Sequence, residues 1–73
     1  MLLEPATSVL DLVGRGVPGV EVLVFPLGES GAPAAVLQTD PKGRFSLAGL
    51  PAGSYILALS KPGYRIQLAR VNS

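Results

Sequence analysis

Seventy-three residues, 48% of them hydrophobic and with a net charge of +1, leave room for one domain at most, and a chain this short buries only about 60% of its unfolded surface. Without cysteine or histidine it has no disulfide, none of the common zinc ligands and no common general base. The longest uncharged stretch, from Phe45 to Ser60, holds a proline and two glycines and falls short of the ~20 apolar residues of a membrane helix, so no membrane insertion is expected.

Met1-Leu2-Leu3-Glu4-Pro5 has no basic leader, and Glu4 and Pro5 interrupt its apolar run, so no signal peptide is expected in this chain. Residues 6–13, Ala-Thr-Ser-Val-Leu-Asp-Leu-Val, alternate loosely and carry β-branched residues, which predicts a first strand. Asp11 selects its register. Burying a carboxylate with no visible partner is costly, so Val9 and Val13 are expected outward with Asp11, and Leu10 and Leu12 inward.

Gly14-Arg15-Gly16-Val17-Pro18-Gly19 has the spacing G-x-G-x-x-G. A dinucleotide needs those glycines to lead into a helix whose first amides face the pyrophosphate; here Pro18 and the run Val20–Phe25 lead into a strand, so the segment reads as a hairpin loop. Residues 20–26 set Val20, Val22 and Val24 on one face against Glu21, Leu23 and Phe25 on the other. With the valines in the core, Leu23 and Phe25 are left outside. Pro26 to Pro33, with Gly28, Ser30 and Gly31, predicts a flexible loop. Residues 34–39 predict a short strand near a sheet edge, Val36 and Gln38 opposing Ala35, Leu37 and Thr39.

Asp40-Pro41-Lys42-Gly43 is a turn in which each residue has a role: Asp40 can accept a backbone amide two residues on, Pro41 presets φ, and Gly43 can take positive φ. Phe45 and Leu47 follow at strand spacing. Ala48-Gly49-Leu50-Pro51-Ala52-Gly53 is a second turn with Leu50 as an apolar plug, and Tyr55, Leu57 and Leu59 resume the alternation against Ile56 and Ala58. Ser60-Lys61-Pro62-Gly63 turns again. Tyr64 is expected to swing back under the fold, its hydroxyl seeking a backbone carbonyl. Residues 64–72 form the last predicted strand, Ile66 and Leu68 inward, Arg65 and Gln67 outward. The count is about six strands, with no helix and no repeat.

The pattern Thr39-Asp40, Gly43, Phe45, Leu47, Leu50-Pro51, Gly53 and Tyr55, with Pro62-Gly63-Tyr64 downstream and Val17-Pro18-Gly19-Val20-Glu21-Val22 upstream, resembles the carboxypeptidase regulatory-like domain. The resemblance covers roughly residues 7 to 72. It implies an all-β, prealbumin-like antiparallel β-sandwich similar to transthyretin, of about six to seven strands in a Greek-key path, as a single domain over residues 1–73. In that family the domain accompanies secreted or surface proteins and stabilises a neighbour or binds a partner, so an extracellular or cell-envelope setting within a longer exported protein is expected. The enzymatic branch of the fold, the transthyretin-like hydroxyisourate hydrolases, relies on histidines absent here. Similar sandwiches in collagen-adhesin repeats carry a lysine–asparagine bond; Asn72 is in place for it, but the first strand offers no lysine.

No catalytic, cofactor-binding or metal site is expected. No serine lies in a Gly-x-Ser-x-Gly turn, the acids Asp11, Glu21 and Asp40 are spread over separate elements, and Asp40 and Glu29 lack the oxygen-rich neighbours that calcium needs. All five acids lie in residues 1–40 beside one base, Arg15, whereas residues 41–73 hold five bases and no acid. Antiparallel pairing is expected to neutralise these halves across strands. A nucleic-acid face would need aromatics interleaved with the bases, and only Tyr64 sits near Arg65. The outer row Leu23, Phe25 and Ile56 is too apolar for a solvated sheet, which marks it as the expected partner interface; a free strand edge is a second route to a homo-oligomer or a neighbouring domain. A carbohydrate-binding module is the alternative, limited by a single expected outward aromatic, Phe25.

Overall fold

The computed structural model describes residues 2–3, 7–29 and 31–72. The expected start of the first strand at Ala6, Ser30 in the expected loop, and Glu4 and Pro5 near the amino terminus lie outside the described residues. Six strands run through the described part: β1 Leu2–Leu3, β2 Val9–Leu10, β3 Glu21–Pro26, β4 Ala35–Gln38, β5 Ser54–Ser60 and β6 Gln67–Asn72. β1 and β2 pair as a short antiparallel ribbon, and the other four form one antiparallel sheet in the order β4-β3-β5-β6. The all-β, antiparallel expectation holds, and the arrangement is consistent with a fragment of a β-sandwich. β4 lies at an edge, as its modest hydrophobicity predicts.

Period-two alternation places the core. Val22 and Val24 of β3, Tyr55, Leu57 and Leu59 of β5 and Val71 of β6 are buried on one face of the sheet. Val9, Val17, Val20 and Phe45 cover that face, with Leu3, Leu47 and Leu50 packed at the margins. Leu50 thus occupies the plug position expected for it. The covering layer is irregular: Val9 N–H donates to the Gly43 carbonyl at 2.8 Å, Val17 N–H to the Val9 carbonyl at 2.8 Å, and Phe45 N–H to the Thr7 carbonyl at 3.0 Å. The strand expected at Phe45 and Leu47 is accordingly reduced to one bridge, Ser8 with Arg44. Beyond it the chain is already turning, because Ser46 Oγ accepts the Ala48 amide and the Leu47 carbonyl accepts Leu50 N–H.

Two glycines allow this layer to close. A Cβ on Gly16 would overlap the Lys42 carbonyl, and one on Gly43, at φ +79°, would stand 2.5 Å from the Val17 nitrogen and 2.6 Å from the Val9 carbonyl oxygen. Of the G-x-G-x-x-G glycines, Gly16 therefore serves backbone approach in a loop that leads into β3, in line with the hairpin reading. Thr39 fastens the same loop from the far side: its buried hydroxyl accepts Val20 N–H at 2.8 Å and donates to the Val17 carbonyl at 2.7 Å.

The turn at Asp40 forms as expected and has a twin. In both Asp11-Leu12-Val13-Gly14-Arg15 and Asp40-Pro41-Lys42-Gly43-Arg44, the aspartate Oδ1 accepts the amides two and four residues on, at 2.8 to 2.9 Å. In each, the aspartate N–H donates to the arginine carbonyl at 2.8 Å, and the glycine takes positive φ. The first expected strand is corrected by this turn. It ends at Leu10, Val9 is fully buried and Leu12 projects into solvent, while Val13 is exposed as expected. Asp11 needs no strand face because its own loop supplies its hydrogen bonds.

Three further expectations are corrected. Register pairs Tyr55 with Val71 and Leu57 with Ala69, so Gln67, Ala69 and Val71 face the core side while Ile66 and Leu68 are exposed. Tyr64 is 45% exposed; the hydroxyl that finds a carbonyl is that of Tyr55, donating to Pro51. No acid faces a base in any described strand pair. Glu21 lies opposite Gln38 and Ser60, and the neutralisation is local, Arg15 near Asp11 and Arg44 near Asp40.

Candidate interaction face

The side of the four-stranded sheet that faces away from the core is built by the residues the alternation leaves over. Register makes Phe25 and Ile56 direct partners and places Leu23 beside Ala58, so the three residues expected at an interface come together on one face. Each is half-buried rather than fully exposed. Two residues the sequence reading assigned elsewhere or left unused complete the face: Val36, 61% exposed, lies opposite Leu23, and Leu68, 67% exposed, lies opposite Ala58. Val36, Leu23 and Leu68, with the small, buried Ala58 between the last two, thus form an apolar row across all four strands. The Phe25–Ile56 pair lies beside it and ends at Arg70, and Glu21 flanks it on the other side.

Leu68 was hidden because Ile66–Leu68 and Ala69–Val71 offer two competing apolar alternations. The signal that decides between them lies in β5, whose larger inward residues Tyr55 and Leu57 need Val71 and Ala69 opposite. β4 and β6 leave their outer edges unpaired among the described residues, which is the other route to association expected from the sequence.

A second exposed apolar site lies at one end of the molecule, a shallow cleft of about 390 Å³ lined by Asp11, Leu12, Val13 and Tyr64. Its single ionisable acid is poorly suited to acid–base chemistry. A hydrogen bond from the Arg15 amide first, helped by one from Val13, holds the Asp11 carboxyl below its ordinary value against the opposing effect of desolvation. Asp40 is lowered in the same way, by the Arg44 amide first and then by Lys42. Among the described residues no three histidine, cysteine, aspartate or glutamate side chains gather to hold a metal. Among the described residues there is no helix long and apolar enough to cross a membrane.

The family model described as the carboxypeptidase regulatory-like domain matches residues 7–72, most of the chain. No curated protein and no solved structure matches it.

Proposed function

The chain belongs to the carboxypeptidase regulatory-like domain family, a family of small, non-catalytic β domains, and from that premise we propose that it serves as a non-catalytic structural and protein-interaction module of a larger secreted or cell-surface protein. In this reading residues 1–73 are one prealbumin-like sandwich of six to seven strands in a Greek-key path. The single observation that supports it most is the apolar row on the outer sheet face. Contiguous outward apolar surface is uncommon on a solvated antiparallel sheet and marks a docking face, for a neighbouring domain or another chain. Catalysis has no support in the residue inventory, since histidine and cysteine are absent and Asp11 and Asp40 each hold two turn amides on Oδ1.

The test uses outward charges. Val36→Glu and Leu68→Glu change exposed positions, so at concentrations too low for association the chain keeps its melting temperature, while the anilinonaphthalene sulfonate fluorescence that the dilute native chain enhances falls in each variant. Fluorescence that falls with Leu12→Ser and not with these two would move the docking site to the cleft and discard the outer face.

The alternative of a carbohydrate-binding module has one observation in its favour, the exposed Tyr64 ring in the cleft beside Asp11. A sugar platform is stronger with a second ring, and the cleft's other walls are Leu12 and Val13, so this reading ranks below the first. Binding on a glycan array that disappears with Tyr64→Ala would reverse the order.

A further inference from the structure

We propose that the outer sheet face is occupied by a second copy of this chain, packed face to face about a two-fold axis passing over Ala58; this rests on the reading of that face as a docking surface. Outward along the four strands of the sheet stand Glu21, Leu23, Phe25, Val36, Gln38, Ser54, Ile56, Ala58, Ser60, Leu68, Arg70 and Asn72, of which only Glu21 and Arg70 are charged. The face therefore carries one charge of each sign and no net charge.

Register fixes where those charges lie. Glu21 is level with Ser60, Leu23 with Ala58 and Leu68, and Phe25 with Ile56 and Arg70. Ala58 thus stands one strand and one outward row from each charge, midway between them. With strands about 4.8 Å apart and a rise of about 3.4 Å per residue, Glu21 and Arg70 of one copy are about 17 Å apart, beyond any direct pairing within the chain. A two-fold axis in the interface plane, drawn through Ala58 and perpendicular to the line joining them, lays Glu21 of each copy over Arg70 of the other.

The same rotation does more than match charges. It carries Phe25 over Val36 and Leu23 of the second copy, apolar group on apolar group, and crosses the two sets of strands at about 70°, near the orthogonal class of sheet packing. Ala58, the smallest side chain of the apolar row, lies where the two sheets approach on the axis. A neighbouring domain would require apolar surface, but it would not require the face to complement itself about its own centre, as an isologous contact does. The face spans only about 19 by 20 Å from strand spacing and rise, below the ~800 Å² per partner of a standard interface, so the dimer is weak and sensitive to a single pair of charges.

Sedimentation equilibrium on the whole chain tests this. The native chain dimerises reversibly, and Glu21→Arg and Arg70→Glu, both at exposed positions, each weaken the dimer at least ~10-fold by setting like charges against each other twice. An equimolar mixture of the two variants restores association, because Arg at position 21 of one then meets Glu at position 70 of the other while the second contact keeps its native pair. A folding defect would not be repaired by mixing. A native chain that stays monomeric, a dimer indifferent to both single substitutions, as strand-edge pairing would give, or a mixture no tighter than either variant alone overturns the proposal. If the monomeric chain still binds the dye in a manner sensitive to Val36→Glu and Leu68→Glu, the docking face stands and only its occupant changes.

Discussion

Thr39 is the one buried polar side chain among the described residues, and both of its hydrogen bonds hold the loop before β3 against the end of β4. Thr39→Val keeps the shape but strands the Val20 amide and the Val17 carbonyl, and is expected to cost about 1–3 kcal/mol in urea unfolding, the ordinary penalty for buried groups left unpaired. A loss indistinguishable from zero would mean that water reaches the loop. At the surface, Asp40 makes stability depend on pH. Its folded carboxyl is held below the ordinary value of about 3.9 by the Arg44 amide first, so its contribution is fully present above that value and is lost as pH falls through the lowered one. Asp40→Asn retains an oxygen for the turn but does not titrate. Its melting temperature should therefore fall less steeply than that of the native chain between about pH 5 and about pH 2, and parallel curves would contradict this account.

Elements of this chain are defined by their neighbours as much as by their own residues. β6 illustrates this, because residues 64–72 offer two apolar faces and the choice between them is made by β5. Val71→Ala is expected to destabilise the chain by about 1.5–3 kcal/mol, the worth of a buried valine, whereas Leu68→Ala stays within about 0.5 kcal/mol. The opposite ranking in chemical denaturation would put the strand one residue out of register. The paired Asp-x-x-Gly-Arg turns make a related point. At residues 40–44 proline and lysine fill the middle and the turn is plain from sequence; at residues 11–15 leucine and valine fill it, and the apolar pattern conceals the same hydrogen-bond pattern. Comparing the two pentapeptides was the signal that could have found the second.

For the whole molecule, the balance lies between a core supplied largely by three strands and a covering layer held by backbone contacts. One sheet face is closed by Val9, Val17, Val20 and Phe45; on the other Ala58 is buried and Leu23, Phe25 and Ile56 are half-buried, while Val36 and Leu68 stay exposed. A domain this small has little apolar area to spare, and an outer row that stays apolar is best explained by association. The proposed face-to-face dimer would link association to fold stability, and the expected outcome is a melting temperature that rises with chain concentration for the native protein and not for Leu68→Glu.

By itself the sequence determined what depends on neighbours a few residues apart: the inward valines of β3, the alternation of β5, the turn at Asp40, the edge position of β4 and the want of reactive side chains. Those follow from backbone preference and period-two patterning, which act locally. The folded chain had to settle which face of β6 is buried, that Val9 enters the core, that Thr39 fastens a distant loop, and that Val36 and Leu68 join Leu23, Phe25 and Ile56 in one row. Each of those is a matter of register between segments far apart in the chain, and register is set by what the opposing strand must bury.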